Sequence, residues 1–168
     1  DNLSTLDNLM VGRHHCIRSA WWQDLIAWPG TLREEREHRA RAEDIIDFLN
    51  LAAYRQYPVG MLPYGVRKRI ELGRALCMEP KLLLMDEPAA GLNQEETEDL
   101  AAYLLDIRAE LNTTVVLIEH ELSFVMDLAD EVAVLDFGKL IARGLPAEVR
   151  ANPAVIEAYI GGVAEEAA

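Results

Sequence analysis

Two adjacent carboxylates, Asp86 and Glu87, close the apolar run Leu82-Leu83-Leu84-Met85 and are followed by Pro88. An unbroken apolar run that ends in acids predicts a buried parallel strand, delivering both carboxylates to the C-terminal edge of a sheet. In open α/β sheets ligands bind at that edge. The pair suits nucleotide chemistry, since one carboxylate can hold Mg²⁺ while the other polarises a water. An acidic cap after a strand would account for one of them but not for two. Upstream, Leu62-Pro63-Tyr64-Gly65-Val66 reads as a glycine-containing turn that opens a helix and offers backbone N–H groups to a phosphate. Downstream, the β-branched run Thr113–Ile118 reads as a second strand, ending in Glu119-His120. The 168 residues contain no G-x-x-x-x-G-K-[ST], the loop that cradles phosphates.

The elements that must position these residues change character along the chain. From Pro80 onward strands and helices alternate, the mark of a parallel α/β sheet. Asn93 with Glu96 predicts a capped helix to Leu111, in which Leu100, Leu104 and Ile107 recur at helical spacing. A helix through Phe124 and Met126 follows, then a strand Val132–Leu135, and Asp136-Phe137-Gly138-Lys139 turns a hairpin into Leu140–Ala142. Two short helical pieces surround Val149 and Ile156. Before Pro80 the pattern is helical. Thr31 with Glu34 reads as a capping box that starts a charged helix to Asn50, and Val66–Met78 as a helix with Val66, Ile70 and Cys77 on one face. Residues 1–30 are weakly patterned. Their Trp21, Trp22 and Trp28 read as aromatic anchors of a helix, with an exposed docking patch as the alternative.

Composition narrows the classes. The chain is 51% hydrophobic, enough for a globular core at this length, and no apolar stretch is long enough to span a bilayer. Cys16 and Cys77 lie far apart and carry no pairing signal, which fits a reduced compartment. A net charge of -13 argues against nucleic acid and anionic lipid as main partners. It does not oppose ATP, because a nucleotide site can be locally positive, and Arg67, Lys68, Arg69 and Arg74 cluster beside the glycine turn. A solvated helix face explains that cluster equally well. The chain opens on Asp1 rather than Met and lacks the phosphate loop, so the expectation is a piece without its front end. Three decoys fall away. Asp136-Phe137-Gly138 has no kinase glycine loop before it, His14-His15-Cys16 has no second ligand pair, and Glu119-His120-Glu121 lacks metalloprotease spacing.

Together Leu62–Val66 and Leu82–Pro88 resemble the signature motif and the Walker B motif of ATP-binding cassette (ABC) ATPases. The resemblance implies that Asp86 helps position Mg²⁺ and that Glu87 is the general base for the attacking water. His120, after Val115–Glu119, resembles the switch histidine that contacts the γ-phosphate. Ala89-Ala90-Gly91-Leu92-Asn93 resembles the D-loop, which meets the partner subunit, with Asn93 where aspartate is usual. The turn departs from Leu-Ser-Gly-Gly-Gln at Pro63, Tyr64 and Val66. Pro63 offers no hydroxyl, so phosphate contact would rest on Gly65 and the helix N-terminus. This variant turn, the phrase Asp86–Asn93 and the tail Ala147–Gly161 are similar to the branched-chain amino acid uptake group.

The family's fold implies an α/β P-loop NTPase with a parallel sheet, here its C-terminal part, and an α-helical subdomain. The expected division is a helical subdomain over 1–79 including the signature turn, the second half of the RecA-like core over 80–144, and a C-terminal extension over 145–168. Implied cofactors are ATP and Mg²⁺. Implied partners are a second ABC ATPase subunit, whose nucleotide would be completed in trans by Leu62, Pro63, Tyr64, Gly65 and Val66, and transmembrane permease subunits. Dimer contact would fall on Ala90, Gly91, Leu92 and Asn93. The implied activity is ATP hydrolysis driving amino-acid import, at the inner face of the plasma membrane. A truncated, non-catalytic cassette acting only as an interaction module is the alternative.

Overall fold

The structure, a computed structural model, describes residues 2–16 and 29–158, so Trp21, Trp22 and Trp28 lie outside the described residues. The chain divides into two compact units, Asp1–Leu117 and Ile118–Ala168. The first opens with α1 (Thr5–Gly12), which follows an N-cap in which Ser4 Oγ accepts from the Asp7 N–H at 3.1 Å. Sequence reasoning gave no element here, because eight residues carry too little periodicity. Next come α2 (Pro29–Phe48) and α3 (Tyr64–Leu76), with short 3₁₀ turns between them at Ala52–Tyr54 and Val59–Met61. Helix α2 already includes Pro29 and Gly30 among the described residues, so Thr31, expected as its cap, lies inside the helix.

The three helices pack closely. A Cβ on Gly12 would lie 2.3 Å from the Arg74 carbonyl oxygen, so only glycine lets α1 approach α3 this far. Leu9, Ile46, Leu49 and Leu51 are fully buried beside Val66, Ile70, Leu76 and Cys77, and truncating one such leucine to alanine costs about 2–5 kcal/mol. Burial pushes the Cys77 thiol up to about 11, so it packs as a small apolar group. A charged side chain also lies inside this unit. Arg13 Nη1 donates to the Cys77 carbonyl at 2.8 Å and to Glu79 Oε1 at 2.7 Å, while its Nε donates to His38 Nδ1 at 3.2 Å. A buried guanidinium is tolerable only when its donors are satisfied in this way.

Strand β1 (Leu82–Asp86) pairs with β2 (Thr114–Ile118) through the crossover helix α4 (Gln94–Leu111), giving the parallel sheet expected. The Tyr103 hydroxyl donates to the Leu49 carbonyl at 3.2 Å and fastens α4 to the end of α2. The sequence reading of β1 as a buried strand is corrected. Leu83 is buried, but Leu84 is 69% exposed and Leu82 51%, and Val116 on β2 is exposed with them. One face of this sheet is covered and the other is not.

The second unit holds α5 (Leu122–Leu128), the antiparallel hairpin β3 (Val132–Asp136) and β4 (Lys139–Gly144), α6 (Pro146–Arg150) and a helical stretch over 153–158. Phe137 and Gly138 turn the hairpin at φ 44 and 77, as the Phe-Gly pair there predicted. Met126, Val132, Val134, Ala142, Val149 and Val155 form its core.

Two outcomes follow for the isolated chain. With apolar residues on an open sheet face, it should self-associate, and Leu84→Thr with Val116→Thr should reduce this at a stability change within about 0.5 kcal/mol. A monomeric wild type with a sharp thermal transition in dilute buffer would contradict this. Secondly, the hydrogen bond from Arg13 holds the Glu79 carboxyl below its usual range. A lowered folded pKa contributes stability that is complete above the unfolded value, about 4.3, and is lost as pH falls through the folded one. Thermal melts from about pH 5 to 3 should therefore fall more steeply for the wild type than for Glu79→Gln. Parallel curves would contradict the assignment.

Candidate functional site

The glycine turn sits where α3 begins. Pro63 occupies the N-cap position without a side-chain cap, so the first N–H groups of the helix are left for an outside acceptor. Gly65 is buried and Tyr64 is 44% exposed. The start of α4 stands against this turn. Asn93 and Glu96 form the expected capping box: Asn93 Oδ1 accepts from the Glu96 N–H at 2.9 Å, and Glu96 Oε2 accepts from the Asn93 N–H at 3.0 Å. The same Glu96 carboxylate lies over Gly65, where a Cβ would come within 2.0 Å of Oε1.

Asp86 and Glu87 reach the C-terminal end of β1 and both are exposed. Glu87 adopts φ 46, a left-handed conformation uncommon for a side chain of this size. Two consecutive turns lead from it to α4, closed by Ala90 N–H on the Glu87 carbonyl and Leu92 N–H on the Ala89 carbonyl, each at 3.1 Å. Gly91 supplies φ 78 between them. The Tyr64 hydroxyl donates to the Ala90 carbonyl at 3.2 Å. The expected signature turn and D-loop are thus brought together within one chain, a contact that sequence reasoning did not foresee.

His120 belongs to the second unit. Its side chain is 74% exposed, with Nδ1 3.8 Å from Glu119 Oε2, and the Glu119 side chain is 1% exposed. Beside the glycine turn, Asn8, Tyr64, Arg67, Lys68, Glu71 and Arg74 line a cavity of about 220 Å³, so three of the four basic residues there face a concave surface, while Arg69 Nη1 donates to the Tyr103 hydroxyl at 3.4 Å. Arg67 Nε is buried without a hydrogen-bond partner. Among the described residues no group of three or more His, Cys, Asp or Glu is placed to hold a metal ion.

The helix-opening glycine turn, the strand-end acid pair and the capped loop between them are the parts that carry the resemblance to ABC ATPases. The chain belongs to the ABC transporter family, whose profile matches residues 4–90. A second profile, described as a branched-chain amino acid ATP-binding cassette transporter, matches residues 139–165. The chain is 38% identical over 159 residues to the high-affinity branched-chain amino acid transport ATP-binding protein BraF of Pseudomonas aeruginosa, covering 95% of this chain and 62% of that one. To its counterpart LivG of Escherichia coli K12 it is 34% identical over the same span, again 62% of the relative. It therefore spans about three fifths of the curated relatives it matches. Among solved structures, the ADP conformation of MJ1267, an ATP-binding cassette of an ABC transporter, superposes with a TM-score of 0.76 at 31% identity, covering 95% of this chain and 63% of that one. A nucleotide-free cassette gives 0.74 at 29% identity, covering 94% and 63%.

Proposed function

We propose that this chain is the part of an ABC importer's ATP-binding subunit that carries the signature turn, the acid pair and the switch histidine, and that its cargo is branched-chain amino acids. The observation that carries the reading is the pair Asp86 and Glu87 at the end of a parallel strand, two turns from a capped helix whose Glu96 lies over Gly65. The cargo assignment draws on BraF and LivG, whose names give it for those proteins, and on the match over 139–165. We divide the chain into a helical subdomain over 1–79, the second half of the core over 80–144 and a C-terminal extension over 145–168.

Each residue then has a task. Asp86 holds Mg²⁺, and a single exposed carboxylate fits that ion, which takes one or two carboxylates and fills its shell with water and phosphate oxygens. When bound, Mg²⁺ neutralises charge developing on the phosphates. Glu87 accepts a proton from the attacking water, and His120 donates to the γ-phosphate. Leu62, Pro63, Tyr64, Gly65 and Val66 present the start of α3 to a nucleotide held by a second cassette. Ala90, Gly91, Leu92 and Asn93 face that partner. Permease subunits anchor the assembly at the inner face of the plasma membrane; among the described residues no helix is long and apolar enough to cross it. Nucleic acid is not a partner on this reading, given the net charge of -13.

A second reading, a cassette piece that docks without catalysing, is favoured by one observation: these 168 residues hold no phosphate-cradling loop. One experiment separates the two. The chain alone should show no ATPase activity above background. Joined behind an N-terminal segment that carries a G-x-x-x-x-G-K-[ST] loop, it should turn over Mg·ATP. Glu87→Gln should abolish that turnover and spare ATP binding, because the amide keeps the shape but cannot act as a base. An inactive joined protein that binds ATP would favour the docking reading. Mg²⁺-dependent hydrolysis by residues 1–168 alone would overturn the argument from the missing cradle.

A further inference from the structure

We propose that Tyr64 is a positioning residue for Glu87, clamping the acid-bearing loop to the glycine turn of the same chain; the proposal rests on the reading of Glu87 as the base. The geometry forms a short relay. The Tyr64 hydroxyl donates to the carbonyl of Ala90 at 3.2 Å, and the N–H of the same Ala90 closes the turn on the Glu87 carbonyl at 3.1 Å. One residue is therefore held from above by Tyr64 and itself holds the backbone of Glu87, whose φ of 46 needs such outside support. The tyrosine ring completes the clamp. A Cβ on Gly91 would lie 3.2 Å from Tyr64 Cε1, tighter than most packed contacts, so the ring lies flush against the loop backbone. The ring is itself held, with Arg67 Cζ 5.8 Å and Lys68 Nζ 5.6 Å from its centroid. Alongside it, the Glu96 carboxylate lies over Gly65, so the two helix starts are in close contact.

Two short backbone segments joined by the Tyr64–Ala90 bond and packed against each other beside it move together. A displacement of the glycine turn by a ligand at the start of α3 is therefore transmitted to Glu87 through Ala90. This gives Tyr64 a different task from direct nucleotide contact, and the two tasks make different kinetic predictions.

The first test needs no nucleotide. In hydrogen exchange on the 168-residue chain, Tyr64→Phe keeps the ring and removes the donor. It should speed exchange at the Ala90 and Leu92 amides about fivefold, in line with the loss of one modest hydrogen bond. Exchange in β1 and along α4 should be unchanged. Gly65→Ala, whose methyl would displace the Glu96 carboxylate, should speed exchange at Asn93. Unchanged exchange at Ala90 and Leu92, or a rise spread evenly over α3, α4 and β1 from general destabilisation, overturns the clamp. The second test uses the joined protein of the previous section: Tyr64→Phe should lower kcat several-fold at an unchanged KM for ATP. A raised KM with unchanged kcat would mean that Tyr64 binds nucleotide directly, and overturns the positioning role. If the wild-type joined protein has no turnover, the proposed function fails while exchange still decides the clamp.

Discussion

A side chain at residue 65 would occupy the space that the Glu96 carboxylate fills, 2.0 Å from the place a Cβ would take. That steric allowance lets the starts of α3 and α4 abut, and the arrangement of the site depends on it. Glu96 can then serve two neighbours, closing the capping box of α4 with one oxygen and lying over the glycine turn with the other. Tyr64 reaches Ala90 only because the turns are this near. The acid pair is delivered by β1, but the loop after it is held by α3.

The scaffold behind this contact combines close backbone approach with one satisfied interior charge. Gly12 brings α1 onto the Arg74 carbonyl, and Arg13 then spends its donors on Cys77, Glu79 and His38. Removing the guanidinium would leave a buried carbonyl and imidazole without their donor, a larger cost than the net worth of the contacts themselves. Leu9, Ile46, Leu49 and Leu51 are fully buried, and their burial stabilises this region. The sheet contrasts with it: Leu82, Leu84 and Val116 contribute little burial on their open face.

Much of this was legible in the sequence where a local rule applies. The Asn93–Glu96 box is a pairing of residue types three apart, and it forms as read. The hairpin at Phe137-Gly138 and the crossover from β1 to β2 likewise follow from local signals. Three things were not legible. Helix α1 is too short to show periodicity, and its packing comes from Gly12, whose partner Arg74 is distant in the chain. The apolar run of β1 predicts burial on both faces, but burial depends on what covers each face, which a strand's own residues do not encode. The Tyr64–Ala90 bond joins two motifs that resemblance assigns to different tasks, and no spacing rule connects them.

The central claim is our proposal that the acid pair serves this chain's own nucleotide and the glycine turn one held by a second cassette, with phosphate affinity supplied by a loop that these 168 residues do not contain. The most direct test is calorimetric titration of Mg·ATP into the wild-type chain and into the joined protein carrying Glu87→Gln, which holds nucleotide without consuming it. The account predicts a dissociation constant in the millimolar range or no measurable heat for the chain, and binding at least about a hundredfold tighter, roughly 2.7 kcal/mol, for the joined protein. Micromolar binding by the chain alone would contradict it.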